Sequence, residues 1–356
     1  VNILFVHNSR HNTAPWVDAS TRYRCYHLAE ALRIRGYKVD ITSHTELQLR
    51  SLSRYNRVCV LRPVFGNPLE HLLKHCRKLR IPTVADVDDL VFVPEFSAMS
   101  PSVVNKQANE ARVKSHFNKN LQAMLLFDEI TVATVPLAKH WRDISGRSNV
   151  ITVPNGLSER WLQNNVHYKL NNDRDIKFIS YFSGSNSHDR DFSEIVNVLA
   201  DTLHEHKNTR LLIVGKLSTD YEILPENRVT RIKWVDYYQL PELISASSIT
   251  LAPLVSSPFT FAKSHIKYIE SAAYGTPAIC SPSHDILRHN SKGLLLANSE
   301  EDWFSALRHF LNSPPEEQCL MEMKARVRDT ASADHSASIL AAHWRNSGAE
   351  ALSYAA

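Results

Sequence analysis

Two runs of alternating strand and helix signals, parted by a polar stretch, leave this chain few folds to adopt. In the first run the segments Asn2–Val6, Lys38–Thr42, Arg57–Leu61, Pro82–Ala85, Glu129–Ala133 and Asn149–Val153 have the short, apolar, β-branched character of buried strands. Helical apolar spacing fills Thr21–Arg35, which Gly36 ends, and recurs in Pro68–Leu79 and Pro136–Ile144. The second run repeats the scheme. Its strands are Lys177–Phe182, Arg210–Val214, Arg228–Lys233, Ile249–Pro253, Pro277–Ser281 and Gly293–Ala297, with helices at Phe192–His206, Leu240–Ala246 and Ser264–Tyr274. Three more helical stretches close the chain at Ser299–Leu311, Pro315–Thr330 and Ser336–Glu350. Strands that alternate with helices this way form parallel sheets covered on both faces. The turn dipeptide Asn155-Gly156 and the polar stretch Leu157–Asp175 separate the two runs. At 356 residues, two such domains are expected and one core is not. The expected architecture is α/β: two Rossmann-like, doubly wound parallel sheets facing a cleft, in domains 1–160 and 161–337. Ligands of such sheets bind beyond the C-terminal strand ends.

Charge and cysteine usage remove several functions. The formal net charge of +4 is a mild bias, and no dense Lys/Arg run is present, so nucleic acid is not expected as a partner. Cys25, Cys59, Cys76, Cys280 and Cys319 are scattered, odd in number and free of CxxC pairs; they read as reduced thiols. No stretch approaches the roughly 18 apolar residues of a membrane span. The N-terminus enters a strand directly, without the pattern of a signal peptide. Together these set the expectation of a cytoplasmic protein, at most in peripheral contact with the inner face of the cytoplasmic membrane. The start at Val1 leaves room for a longer chain. The eighteen histidines fit neither H-E-x-x-H nor H-x-x-E-H, and there is no GxSxG elbow or GxxxxGK[ST] loop.

The most informative segment is Phe261–Pro277, FAKSHIKYIESAAYGTP, ahead of the strand AICS. It resembles the donor domain of glycosyltransferase family 4 and related GT-B enzymes, where a helix beside the donor phosphates carries a glutamate, then Ala, Gly, Pro and a buried strand. Glu270, Ala272, Gly275 and Pro277 stand in those places. A helix start attracts a diphosphate. Lys263 and Ser264 at that start, and Lys267 one turn on, are the expected phosphate contacts; Glu270 is placed to accept hydrogen bonds from ribose hydroxyls. The bland alternative is a surface helix with Lys–Glu pairs. One departure stands out: the family's first glutamate, eight positions earlier, is here Ala262.

A second segment, Tyr181–Phe192 (YFSGSNSHDRDF), lies between a strand and a helix and resembles a form recurring among bacterial surface-polysaccharide transferases of this family. Gly184 permits close backbone approach. Ser185, His188 and Arg190 are candidate phosphate contacts, Arg190 being suited to bidentate binding and to stabilising the leaving group. For Asp189 or Asp191 the competing role is to cap the helix. The loops holding Gly215 and Lys216, and Trp234 and Val235, are expected around the nucleotide base, with Trp234 as readily a core residue.

In the first run, Arg22 and Arg24 of ASTRYR resemble a bacterial subgroup and face either a cleft or solvent. In ADVDDLVF, Asp86, Asp88 and Asp89 formally contain the D-x-D that binds a metal in the other glycosyltransferase fold, GT-A. The two-domain pattern favours GT-B, which needs no metal, so these three are read as acceptor-side or catalytic carboxylates. Strand-end hydrogen bonding is the competing role.

The resemblance implies a GT-B glycosyltransferase with no cofactor, a nucleotide-diphosphate-sugar donor held by domain 161–337, and a glycan or lipid-linked acceptor on domain 1–160. It also implies that residues 338–356 pack back on the first domain. Catalysis is expected from Asp86, Asp88, Asp89, Arg190 and Lys267. A sugar-nucleotide epimerase, a non-catalytic GT-B scaffold and a GT-A-like metal enzyme are the rival readings.

Overall fold

A computed structural model describes residues 1–11, 13–164, 176–184, 188–218 and 221–353. The chain divides into two compact units. The first comprises Val1–Ser97, Ala111–Glu159 and Thr330–Ala356; the second comprises Ala98–Glu110 and Arg160–Asp329.

The first unit holds six parallel strands: β1 (Asn2–His7), β2 (Lys38–Ser43), β3 (Arg57–Leu61), β4 (Thr83–Val87), β5 (Glu129–Val132) and β6 (Val150–Thr152). Their order is β2-β1-β3-β4-β5-β6. Ile3, Phe5, Cys59 and Val84 pack under Leu28, Ala29 and Leu32 of one helix and under Ala337, Leu340, Ala341 and Trp344 of the last helix, Ala333–Ser353. Buried on both faces, these strands read as continuous apolar runs, as parallel strands must. Two details depart from the sequence expectation. Strand β4 runs on to Val87, which puts Asp86 inside the sheet and not at its end. The expected helix Thr21–Arg35 is three pieces, Ala19–Thr21, a π-helical stretch Arg22–His27, and Leu28–Ile34. The wider π turn buries Tyr23, Arg24, Cys25 and His27 together, more than one face of an ideal α-helix would.

The second unit also holds six parallel strands: β7 (Lys177–Ser183), β8 (Thr209–Gly215), β9 (Val229–Ile232), β10 (Ile249–Ala252), β11 (Ala278–Cys280) and β12 (Leu294–Leu296). Their order, β12-β11-β10-β7-β8-β9, is that of a Rossmann sheet. The chain starts in the middle at β7, winds outward through β8 and β9, then returns to the other side of β7 with β10. The winding therefore reverses between β7 and β10. Connections leaving these two neighbours diverge to opposite faces, and a crevice opens at their C-terminal ends. Ile179, Tyr181, Leu211, Ile213, Ile249, Leu251 and Ile279 supply the core beneath it. Among the described residues, no helix is long and apolar enough to cross a membrane.

Candidate functional site

Segments leaving β7 and β10 meet through one carboxylate. After β7 the chain passes Gly184 and, beyond Ser185, which lies outside the described residues, enters the short helix Asp189–Ser193 with His188 at its N-cap position. Asp191 on this helix is buried. Its Oδ2 lies 2.9 Å from His188 Nδ1, and its Oδ1 accepts the Val255 N–H at 2.9 Å, just past β10. Asp191 thus ties the two connections together across the reversal of winding. Burial pushes its carboxyl up, but His188, the Val255 amide and Lys267 outweigh that and hold it below its ordinary value. Neither Asp191 nor Asp189 caps its own helix; Asp189 Oδ1 accepts from the Ser218 N–H at 3.1 Å instead.

The connection after β10 supplies the positive charge. Ser257 and Thr260 form a capping box for the turn of helix Pro258–Phe261. The next helix is Ile266–Ala272, shorter than the sequence spacing suggests, and His265 stands at its N-cap position. Lys263 and Ser264 consequently lie in the connection ahead of the helix and not on its first turn, as expected from sequence. Lys267 is on the first turn and Glu270, which is buried, on the second. The Lys267 Nζ sits 4.6 Å from the Tyr181 ring centroid, is buried, and has no hydrogen-bond partner among the described residues. Burial pushes this ammonium down to about 8; Asp191 and Glu270 oppose the drop and Lys263 adds to it. Ser264 Oγ is likewise buried without a partner. Burial, and then the positive charge of Lys267 and Lys263, bring His188 down to about 4, so its ring is neutral at pH 7. One partly buried neighbourhood therefore holds His188, Asp191, Lys263, Lys267 and Glu270, and in it the Lys267 ammonium and the Ser264 hydroxyl have no hydrogen-bond partner among the described residues.

A second polar chain holds the Lys267 helix from behind. The His265 N–H donates to Asp285 Oδ2 at 3.2 Å, and its Nδ1 contacts the same carboxylate. His265 Nε2 lies 2.9 Å from His289 Nε2, and Arg288 Nε pairs with Asp285 Oδ1 at 2.9 Å. Sequence reasoning passed over these residues, because partners 20 and 24 positions apart form no short motif.

The other sequence candidates separate into distinct roles. Gly184 does not have a positive φ, and a Cβ built on it would meet none of the described residues within 4 Å. Gly215 must be glycine: its φ is +101°, and a Cβ would lie 1.8 Å from the Ser183 carbonyl oxygen, where the ends of the parallel neighbours β7 and β8 pair. Lys216 is exposed, and its carbonyl accepts from Ser183 Oγ at 2.6 Å. Trp234 is 60% exposed beside half-buried Val235, which removes the core reading and leaves a free aromatic face beyond β9. Arg190 does not join the buried cations. Its side chain is exposed and pairs with Glu194 at 2.9 Å, one helical turn on.

In the first unit the aspartates are held, not poised. Arg24 is wholly buried; its Nη2 and Nε donate to the two oxygens of Asp86 at 2.6 and 2.8 Å, and its Nη1 donates to the Val153 carbonyl at 2.6 Å. Thr131 Oγ1 donates to Asp86 Oδ1 at 2.5 Å. Asp86 thus accepts two hydrogen bonds on Oδ1 and one on Oδ2 and is buried within the sheet, away from the solvent access a general base needs to exchange its proton. Its expected catalytic role is corrected to a structural one, and Arg24 is buried against residues of its own unit and not on a solvated helix face. Arg62, at φ +44°, donates from Nε to Asp88 Oδ1 at 2.5 Å and lies 3.9 Å from Asp89. Burial would raise Asp88, but Arg62 and a Ser20 hydrogen bond keep it ionised below its ordinary value. With Asp86 and Asp88 each claimed by an arginine, the D-x-D is an ion-pair motif in this chain.

Two Rossmann-like parallel sheets in one chain, one of them with basic side chains at its switch point, define the GT-B class. Residues 177–313, from the start of β7 to just past the helix Glu300–Asn312, match the family model described as glycosyl transferases group 1. The protein is a glycosyltransferase with a group 1 domain in its second unit, as the sequence resemblance implied. Its fold is similar to that of HepE from Anabaena, solved in complex with UDP-glucose, at 13% identity and a TM-score of 0.58 over 97% of this chain and 99% of that one. It is similar also to WaaG, a glycosyltransferase involved in lipopolysaccharide biosynthesis, at 13% identity and a TM-score of 0.58 over 95% and 99%. A third likeness is to a putative UDP-N-acetylglucosamine 2-epimerase from Listeria monocytogenes, at 10% identity and a TM-score of 0.55 over 98% and 97%. At these identities the likeness is one of fold. Among curated proteins no match was found.

Proposed function

We propose that the protein transfers a sugar from a nucleotide-diphosphate-sugar donor to a hydroxyl of a glycan or lipid-linked glycan acceptor, in the assembly of a bacterial polysaccharide. The observation that carries this reading is the Lys267 ammonium, buried and without a hydrogen-bond partner among the described residues, at the switch point of a group 1 domain. Burying an unpaired cation is costly unless an anion completes it, and a diphosphate is the anion this class of sheet receives. Lys267, Lys263 and Ser264 would contact the diphosphate, Glu270 the ribose, and Trp234 the base. As the anomeric carbon gains oxocarbenium character, negative charge grows on the departing diphosphate. Fixed cations in a water-poor site stabilise that growth more than they stabilise the ground state. The positive charge is the chain's own, so full activity in excess chelator is expected. Free thiols throughout the described residues and HepE's complex with UDP-glucose support a cytoplasmic enzyme using such donors.

The test is a thermal-shift and turnover screen over UDP-, GDP-, dTDP- and CMP-sugars, with Lys267→Met alongside. One donor class should raise Tm in the parent and fail to do so in the variant. No shift with any donor, or an equal shift in Lys267→Met, overturns the assignment. Conversion of the donor to another sugar nucleotide without an acceptor would replace transfer by epimerisation.

A further inference from the structure

We propose that the His188–Asp191 pair takes up one proton when a sugar nucleotide binds, so that the imidazole holds the diphosphate as a cation. The inference rests on the donor site proposed above and goes beyond it by giving His188 a defined protonation cycle.

The geometry sets the tautomer. His188 Nδ1 lies 2.9 Å from an oxygen of Asp191, and that carboxylate cannot turn away because its other oxygen is held by the Val255 N–H. A neutral imidazole so placed carries its proton on Nδ1, since the opposite tautomer would set a lone pair against a carboxylate. Its Nε2 is then an acceptor. Phosphate oxygens are acceptors as well. Neutral His188 has nothing to donate to a diphosphate, and it gains a donor only by adding a proton at Nε2. The ring is one-fifth exposed, so that proton can arrive from solvent.

The surrounding charges explain why the proton is absent before binding. On its own helix His188 faces Asp191; from the connection after β10 it faces Lys263; from the helix Ile266–Ala272 it faces Lys267, with Glu270 one turn behind. From β7, the Tyr181 hydroxyl donates to the His188 carbonyl at 3.5 Å, and the ring of Tyr181 underlies Lys267. Burial and the two lysines together outweigh Asp191. A bound diphosphate brings two negative charges, offsets both lysines and reverses the sign of the field at Nε2. Asp191 is the positioning residue and His188 the contacting one.

The experiment is isothermal titration of the full chain with UDP-glucose and GDP-mannose at pH 6.5, in two buffers of different ionisation enthalpy. Their diphosphates have no group titrating there, and Lys267, with its pKa near 8, is already charged. About one proton should be taken up per site, and affinity should rise up to about tenfold for each pH unit lowered between the free and bound pKa. His188→Gln and Asp191→Asn should bind more weakly, without uptake and with a flat pH profile; circular dichroism and Tm check their folding. Following the His188 ring by NMR, without and with donor, gives the same answer in the unsubstituted protein. Binding without proton uptake, or uptake undiminished in His188→Gln, overturns the inference while leaving the donor site intact. Failure of every nucleotide sugar in the screen to bind removes both.

Discussion

Replacing Asp86 by Asn changes one atom in the first sheet and leaves a buried guanidinium without its counter-charge. Arg24 is fully enclosed and donates to both oxygens of the carboxylate, at 2.6 and 2.8 Å. An amide in that place offers one acceptor oxygen and turns its NH2 toward the guanidinium. Removing one partner of a buried pair costs about 3–5 kcal/mol, because the other charge stays buried. Against a total stability on the order of 5–15 kcal/mol, Asp86→Asn should survive in the cold and melt far below the parent. Urea unfolding at fixed pH reads the loss directly as a lower midpoint with an unchanged m-value. The double variant Arg24→Met, Asp86→Leu should recover most of it, since apolar residues of similar volume often replace a buried ion pair at little cost. Turnover measured below the melting range should fall only modestly in Asp86→Asn. If Asp86→Asn instead proves as stable as the parent and loses turnover by several orders of magnitude, Asp86 is a catalytic carboxylate after all and the correction fails.

The unpaired Lys267 should cost stability. Its ammonium is pressed from 10.5 to about 8, so Lys267→Met should raise stability at pH 7 by up to about 3 kcal/mol and abolish donor binding. In the parent that cost is fully present below pH 8 and relieved as pH rises toward 10.5; denaturant midpoints across pH 7–10 should show a rise that the variant lacks. Gly184→Ala should leave urea stability within about 1 kcal/mol of the parent yet weaken donor binding, whereas Gly215→Ala should unfold far more readily, because its Cβ would strike the Ser183 carbonyl; equal stabilities would refute the distinction. Burial keeps His27 and His289 neutral down to about 3 and His188 down to about 4, while the unfolded chain binds these protons below 6.5. Stability should therefore fall from pH 6.5 toward pH 4, by about 1.4 kcal/mol per pH unit for each histidine; a flat urea midpoint between pH 6.5 and 5 would contradict this.

All twelve strands were legible in sequence: the central ones, such as β1, β3 and β4, are buried along nearly their whole length and announce themselves by composition, and the half-exposed β2 and β9 by their place in the alternation of strand and helix. The order of the strands was not, since pairing is non-local; the reversal between β7 and β10 that locates the crevice emerges only in three dimensions. The helix Glu110–Met124 escaped notice, as its buried residues Val113, Phe117, Asn120, Ala123 and Met124 are interleaved with many polar ones. Residue types that do chemistry were easier to pick than their partners. Lys267, His188 and Glu270 were singled out from motif and charge. Asp191, weighed as a cap, proved to be the carboxylate joining two loops, and Arg190, the motif's obvious cation, faces outward on a surface pair. Asp86 misled because its apparent strand-end position came from ending β4 two residues early.

The missing first glutamate of the resembling family also takes on a different aspect once its surroundings are known. Ala262 closes the helix Pro258–Phe261 and is almost completely buried, so the space a glutamate would need is already filled by the protein. A carboxylate there would be desolvated beside Lys263 and would compete with a diphosphate for the same cations. Alanine adds no carboxylate to compete for Lys267, and Asp191, which approaches from the β7 side, is bonded on both oxygens, to His188 and to Val255. The donor end of the site is thereby biased toward gripping the leaving diphosphate, with the sugar left to groups other than the family's first glutamate.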